Sequence, residues 1–106
     1  MTRIECEELS SDPYLSRILA IVAPFLEGKK ARIFLFGSRA EGRHHVTSDY
    51  DLAIETPEGE EIPFYRIRDE LEESTIPHKV DIVDLHAAGD TLKSLVKEKG
   101  ILLWEN

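Results

Sequence analysis

FLFGSRAEGRHHVTSDYDL, residues 34–52, decides how this chain is read. An apolar, aromatic-rich run, ARIFLF at 31–36, has the composition of a buried strand. Gly37 ends it, and Ser38 to Gly42 predict a short helical turn. Glycine behind a buried strand permits tight curvature and close approach of a phosphate. The N–H groups of residues 38–40, the Ser38 hydroxyl and the Arg39 guanidinium are all donors that suit an anion. Residues 43–48 read as a loop. YDLAIE at 50–55 then resumes as a strand. Alternation puts Asp51, Ala53 and Glu55 on one face and Tyr50, Leu52 and Ile54 on the other. Asp49 and Asp51, two residues apart, project together at the strand start. Two carboxylates this close repel, and a hard divalent cation with oxygen ligands removes the repulsion.

Thirty residues on, KVDIVDL at 79–85 predicts a third strand. Its apolar neighbours place Asp81 in a buried setting, where an ionised carboxylate needs a partner. A metal shared with Asp49 and Asp51 is one such partner, and a lysine or arginine is another. Asp84 has the opposite parity, so only one of the two faces the site.

Outward from these motifs, Ser11 or Asp12 caps a helix with Pro13 in its first turn. Leu15, Ile18, Leu19, Val22, Phe25 and Leu26 recur at helical spacing. Pro24 kinks or shortens that helix, and Gly28 stops it. Residues 56–61 form an acidic turn. Residues 62–74 and 87–99 predict two further helices, the second capped by Gly100, and ILLW at 101–104 a last strand. The order αβ(α)βαβαβ gives an α/β fold, a small sheet with helices packed on at least one face.

The 106 residues bound the chain to one domain, and 42% apolar content supplies a core. Residues 1–11 are a polar N-terminal segment, and 12–106 form the domain. The net charge of −8 argues against a direct nucleic-acid binder, while leaving ATP held through Mg²⁺ open. The single cysteine, Cys6, excludes an internal disulfide and fits a reducing cytoplasm. No apolar run is long enough for a membrane span, and the charged N-terminus is not a signal peptide. His44 and His45 in the loop, and His78 and His86 near the ends of the third strand, could touch substrate or a transition metal, but such histidines are more often neither and are expected outside the chemistry.

Gly37-Ser38, Asp49-Tyr50-Asp51 and Asp81, with FGSRA, SDYDLAI, VDIVDL and the closing LVKEKGILLWE around them, resemble a minimal nucleotidyltransferase (MNT) domain. That domain is of the DNA polymerase β-like superfamily, and the resemblance covers roughly residues 14–105. Two positions depart from the pattern. Glu41 stands where relatives often carry a basic residue, and Trp104 where they often carry tyrosine. The resemblance implies that Asp49 and Asp51 hold two Mg²⁺ ions (Mn²⁺ suits the same oxygens), with Asp81 completing the second site. It implies that Gly37, Ser38 and Arg39 bind the nucleotide, and that a hydroxyl attacks the α-phosphorus of ATP to release pyrophosphate. It also implies a partner, because the acceptor surface must come from another subunit or protein. MNT proteins are commonly paired, as antitoxins, with HEPN-domain RNases, to which they transfer AMP. Two other readings stay open, a non-catalytic binding antitoxin and a nucleotidyltransferase for a small molecule such as an aminoglycoside. A homo- or hetero-oligomer would supply the acceptor surface.

Overall fold

The structure, a computed structural model, describes residues 12–43, 49–57 and 60–106. Cys6, Ser11, His44 and His45 lie outside them, as do the whole segment 1–11 and most of the 43–48 loop. Helix α1 spans Pro13–Val22 and passes into a 3₁₀ turn at Ala23–Leu26, with Pro24 in its first turn. The proline therefore tightens the helix end instead of kinking its middle. Asp12 is the N-cap, its Oδ1 accepting from the N–H groups of Tyr14 (2.9 Å) and Leu15 (3.2 Å).

The remaining elements are β1 (Arg32–Phe36), β2 (Tyr50–Glu55), α2 (Phe64–Glu73), β3 (Val80–Asp84), α3 (Asp90–Lys99) and β4 (Ile101–Glu105). Residues 87–89, expected as the start of α3, precede it instead, and 85–88 form a turn. There Asp84 Oδ1 accepts from the His86 N–H at 3.0 Å, a local bond that competes with helix. The four strands form one mixed sheet in the order β3-β2-β1-β4. β1 pairs antiparallel with β2 and β4, and β2 pairs parallel with β3 across α2.

The two faces of the sheet are covered unequally, as the alternation of β1 and β2 dictates. Ile33, Leu35, Tyr50, Leu52 and Ile54 pack against Leu15, Ile18, Leu19 and Val22 of α1 and Ile67 and Leu71 of α2. Burying each large aliphatic side chain here contributes about 1.5–3 kcal/mol. On the other face, Ala53 meets Leu85 and Val96, with Phe34, Phe36 and Leu92 beside them. α3 covers that face. A register shift between Ile33 and Phe34 leaves Leu103 as an extra residue in β4, so Leu103 and Trp104 both enter the core. Trp104 is a packing residue, consistent with its apolar surroundings in ILLW.

Candidate active site

The sheet order brings the chemistry to one end of the strands. β1 finishes there and β2 and β3 begin there. Phe36 is opposite Asp51 in the antiparallel pair, and Asp51 is opposite Asp81 in the parallel pair. Asp51 and Asp81 thus share a face, while Asp84 is opposite Ile54 on the other parity. Asp49 lies just before β2 and is exposed. Tyr50, between the two aspartates, is 1% exposed and belongs to the core, as its parity requires.

Gly37 sits directly against Asp51. Its φ is +77°, a conformation open to glycine and costly to other residues. A Cβ there would also overlap Oδ2 of Asp51. The backbone of the turn therefore approaches the carboxylate more closely than any other residue type permits. Behind Gly37 the chain makes a turn and not a helix. The Glu41 N–H donates to the Gly37 carbonyl (3.1 Å) and the Arg43 N–H to the Ser38 carbonyl (2.9 Å). The anion-attracting groups here are the N–H groups and hydroxyl of a turn, with no helix dipole behind them.

Asp51 is half-buried, and its pKa is raised, first by burial and then by the negative charges of Asp81 and Asp49; Lys79 partly offsets this. Asp51 therefore feels the charge of both other carboxylates, and the donor set is all oxygen, the chemistry that Mg²⁺ or Mn²⁺ selects. Among the described residues no three His, Cys, Asp or Glu side chains are gathered into a closed ligand cluster.

Asp81 differs from its expectation. β3 is an edge strand, so the Asp81 side chain is 45% exposed, and its Oδ1 lies 3.8 Å from Nζ of Lys79. The apolar run VDIVDL suggested a buried strand, but only Ile82 of β3 is buried. Beside this edge a cleft of about 600 Å³ reaches from Asp51 and Asp81 to Arg68, His78 and Lys79.

Arg39 is placed where sequence reasoning did not look. It is 8% exposed, and its guanidinium lies over the Tyr50 ring, 3.9 Å from the centroid. The Tyr50 hydroxyl donates to Asp12 Oδ2 at 2.8 Å, and His78 meets the rings of Tyr14 and Tyr50 edge-on. Burial, followed by Asp12, raises the Tyr50 pKa. This stack ties the Gly-Ser turn to the start of β2 and to the cap of α1. Glu41 is likewise engaged. Arg43 Nη2 lies 3.3 Å from one of its carboxylate oxygens and Lys99 Nζ 3.5 Å from the other. The Arg43 hydrogen bond holds the Glu41 carboxyl below the usual carboxylate range.

The Gly37 turn is thus pressed against Asp51 at the start of β2, with Asp49 just before it and Asp81 in register on β3. Residues 24–106 match the family described as "Polymerase beta, Nucleotidyltransferase". The chain belongs to that family. Solved structures similar to this nucleotidyltransferase include toxin–antitoxin complexes. The protein adenylyltransferase MntA of Shewanella oneidensis is 34% identical over 73 residues, covering 68% of this chain and 52% of that protein. The chain thus spans about half the length of that curated relative. A toxin–antitoxin crystal structure with AMP-PNP superposes with a TM-score of 0.64 at 27% identity, covering 88% of this chain and 72% of that one. A tri-AMPylated HEPN toxin from Shewanella oneidensis in complex with its MNT antitoxin gives 0.62 at 25% identity, covering 86% and 69%. The fold read from the nucleotidyltransferase motifs, a small mixed sheet with helices against it, is the one found. No described helix is long and apolar enough to cross a membrane.

Proposed function

We propose that this nucleotidyltransferase moves AMP from ATP to a hydroxyl of a HEPN-type toxin protein in the cytoplasm, and so acts as its antitoxin. The observation that carries the chemistry is the contact of Gly37 with Asp51, beside Asp81 in register. It sets a phosphate-accepting turn against a pair of metal-suited carboxylates. Asp49, Asp51 and Asp81 would hold the divalent cations. Two such ions neutralise triphosphate charge and lower the pKa of an attacking hydroxyl.

The chain's own residues then divide the work. The Gly37–Ser38 turn binds and orients the triphosphate through N–H groups and the Ser38 hydroxyl. Asp81, half-exposed at the sheet edge, accepts the proton of the acceptor hydroxyl at a carboxylate oxygen. The oxygen attacks the α-phosphorus in line, a new P–O bond forms, and pyrophosphate departs. The partner is supported by the relatives' toxin complexes and by the net charge of −8, which suits a partner with a basic face.

The test is transfer of label from α-labelled ATP to the cognate toxin, with Mg²⁺, by the wild type and by Asp49→Asn/Asp51→Asn. Label on the toxin that vanishes in the variant is the expected result. Full transfer by the variant refutes the assignment of the carboxylates. A complex that neutralises the toxin with no label on it points to a binding antitoxin instead.

A further inference from the structure

Three side chains on the far side of the Gly-Ser turn from the aspartates are unused by this account. They are Glu41, Arg43 and Lys99. Pairing at this end of the sheet puts them in line with the site. Asp81 is beside Asp51, Asp51 is opposite Phe36, and Leu35 is opposite Ile101. Gly37 follows Phe36, and Lys99 and Gly100 immediately precede Ile101. Read across the strand ends, the sequence of groups is carboxylate, carboxylate, glycine turn, cation. Adjacent strands lie ~4.8 Å apart, so β2 and β4 are ~10 Å apart with the turn between them.

Arg43 is brought to the same place by the turn itself, through its N–H on the Ser38 carbonyl. The two cations address the two oxygens of one carboxylate, at 3.3 and 3.5 Å. The Arg43 and Lys99 side chains are 65% and 59% exposed, whereas that of Glu41 is 19% exposed. The carboxylate is set back and the cations face solvent. A phosphate oxygen has the charge and acceptor geometry that both cations already satisfy on Glu41. Arg39, stacked on Tyr50 and almost wholly buried, is not the solvent-facing cation of this turn.

We propose that Arg43 and Lys99 form a clamp for the β- and γ-phosphates of the bound triphosphate, and that Glu41 is the resident anion that keeps the clamp assembled in the free protein. The inference rests on the nucleotidyltransferase reading above and adds a direction to it. The α-phosphorus lies at Asp51, and the pyrophosphate moiety runs over Gly37 towards β4. The acceptor enters opposite, from the cleft along β3. In-line displacement requires that opposition of attacking and leaving oxygens. A glutamate in the turn is tolerated because the two cations take up its charge, and it competes with the phosphates for them when the nucleotide binds.

Calorimetric titration with ATP and with AMP, each with Mg²⁺, separates the possibilities in the full chain. Arg43→Gln and Lys99→Gln each weaken ATP affinity roughly tenfold and leave AMP affinity unchanged, because AMP lacks the phosphates that the clamp holds. Glu41→Gln keeps an oxygen acceptor, removes the charge and tightens ATP binding several-fold. Thermal melts run alongside, and a brace with no role in binding would lower Tm without changing the ratio of ATP to AMP affinity. ATP affinities of both cation variants within twofold of the wild type, or equal losses for ATP and AMP, overturn the clamp while the nucleotidyltransferase reading stands. A wild type that binds no ATP takes down that reading and the clamp with it.

Discussion

Gly37→Ala is the perturbation that probes the link between turn and carboxylate most sharply. Two costs add at this position. An alanine at φ +77° pays the left-handed penalty of about 1–2 kcal/mol. Its Cβ also overlaps Asp51 Oδ2, and relieving such an overlap costs about 1–3 kcal/mol. Reduced freedom of the unfolded chain returns about 0.4–1 kcal/mol. The net is a destabilisation of about 2–4 kcal/mol, or a Tm lowered by on the order of 10–25 °C for a domain this size. Gly28 and Gly42 supply internal controls. Their φ values are +78° and +74°, and among the described residues a Cβ at either meets nothing within 4 Å. Gly28→Ala and Gly42→Ala therefore pay the backbone penalty alone, about 1 kcal/mol. Denaturant melts of the three variants, and of Gly37→Ala placed in an Asp51→Ala background, form the assay. Removing the Asp51 carboxylate should return about 1–3 kcal/mol of the Gly37→Ala cost as coupling. Transfer activity of the Gly37→Ala single variant should fall by roughly 100-fold or more, since a displaced Asp51 misplaces the reacting groups. If Gly37→Ala costs no more than Gly42→Ala, or the cycle shows no coupling, the contact between turn and carboxylate is refuted.

Three other outcomes follow from the site. Because the folded pKa of Asp51 is raised, the native state holds this proton more tightly, and metal-free stability falls as pH rises from the ordinary aspartate value through the folded one. Asp51→Asn should therefore raise the metal-free Tm at neutral pH, leave it unchanged near pH 3, and remove most of the stabilisation that Mg²⁺ gives the wild type, all readable by thermal melts across pH. Tyr50 must be neutral to donate to Asp12, and its pKa too is raised in the fold, so wild-type stability declines above the ordinary tyrosine value of about 10. Tyr50→Phe should lose about 1 kcal/mol at neutral pH and flatten that alkaline decline. Asp12→Ala removes the N-cap bonds of α1 together with the Tyr50 contact, and should cost about 1–2 kcal/mol in urea melts without changing the nucleotide specificity of transfer.

What the sequence disclosed was whatever has a short period or a local cause. Strand alternation assigned Tyr50 to the core and Asp51 to the opposite face, because successive side chains must alternate. The same parity separated Asp81 from Asp84. A cap at Ser11 or Asp12 with Pro13 behind it was visible for the same reason, since capping is settled within four residues, and Asp12 is the one that serves. Hidden features all depend on which elements become neighbours. VDIVDL has the composition of a buried strand, yet β3 lies at the edge, and so Asp81 is half-exposed, with Lys79 as the lysine partner that stayed open in the sequence. The stacking of Arg39 on Tyr50 needs the turn to fold back over β2. Glu41 looked like a misplaced charge because one of its partners, Lys99, arrives from the far end of the chain. The expected helical turn after Ser38 is a turn without a helix, because Gly42 and the Arg43 N–H bond to Ser38 close it after one cycle.

The central claim is that Asp49 and Asp51, set against the Gly37 turn, serve transfer of AMP to the toxin. The most direct measurement is the mass of the cognate toxin after incubation with ATP, Mg²⁺ and either wild-type protein or Asp49→Asn/Asp51→Asn. The account predicts toxin heavier by one or more AMP units with the wild type and unmodified toxin with the variant, although the variant stays folded. Unmodified toxin with both proteins, or equal modification by both, would contradict it.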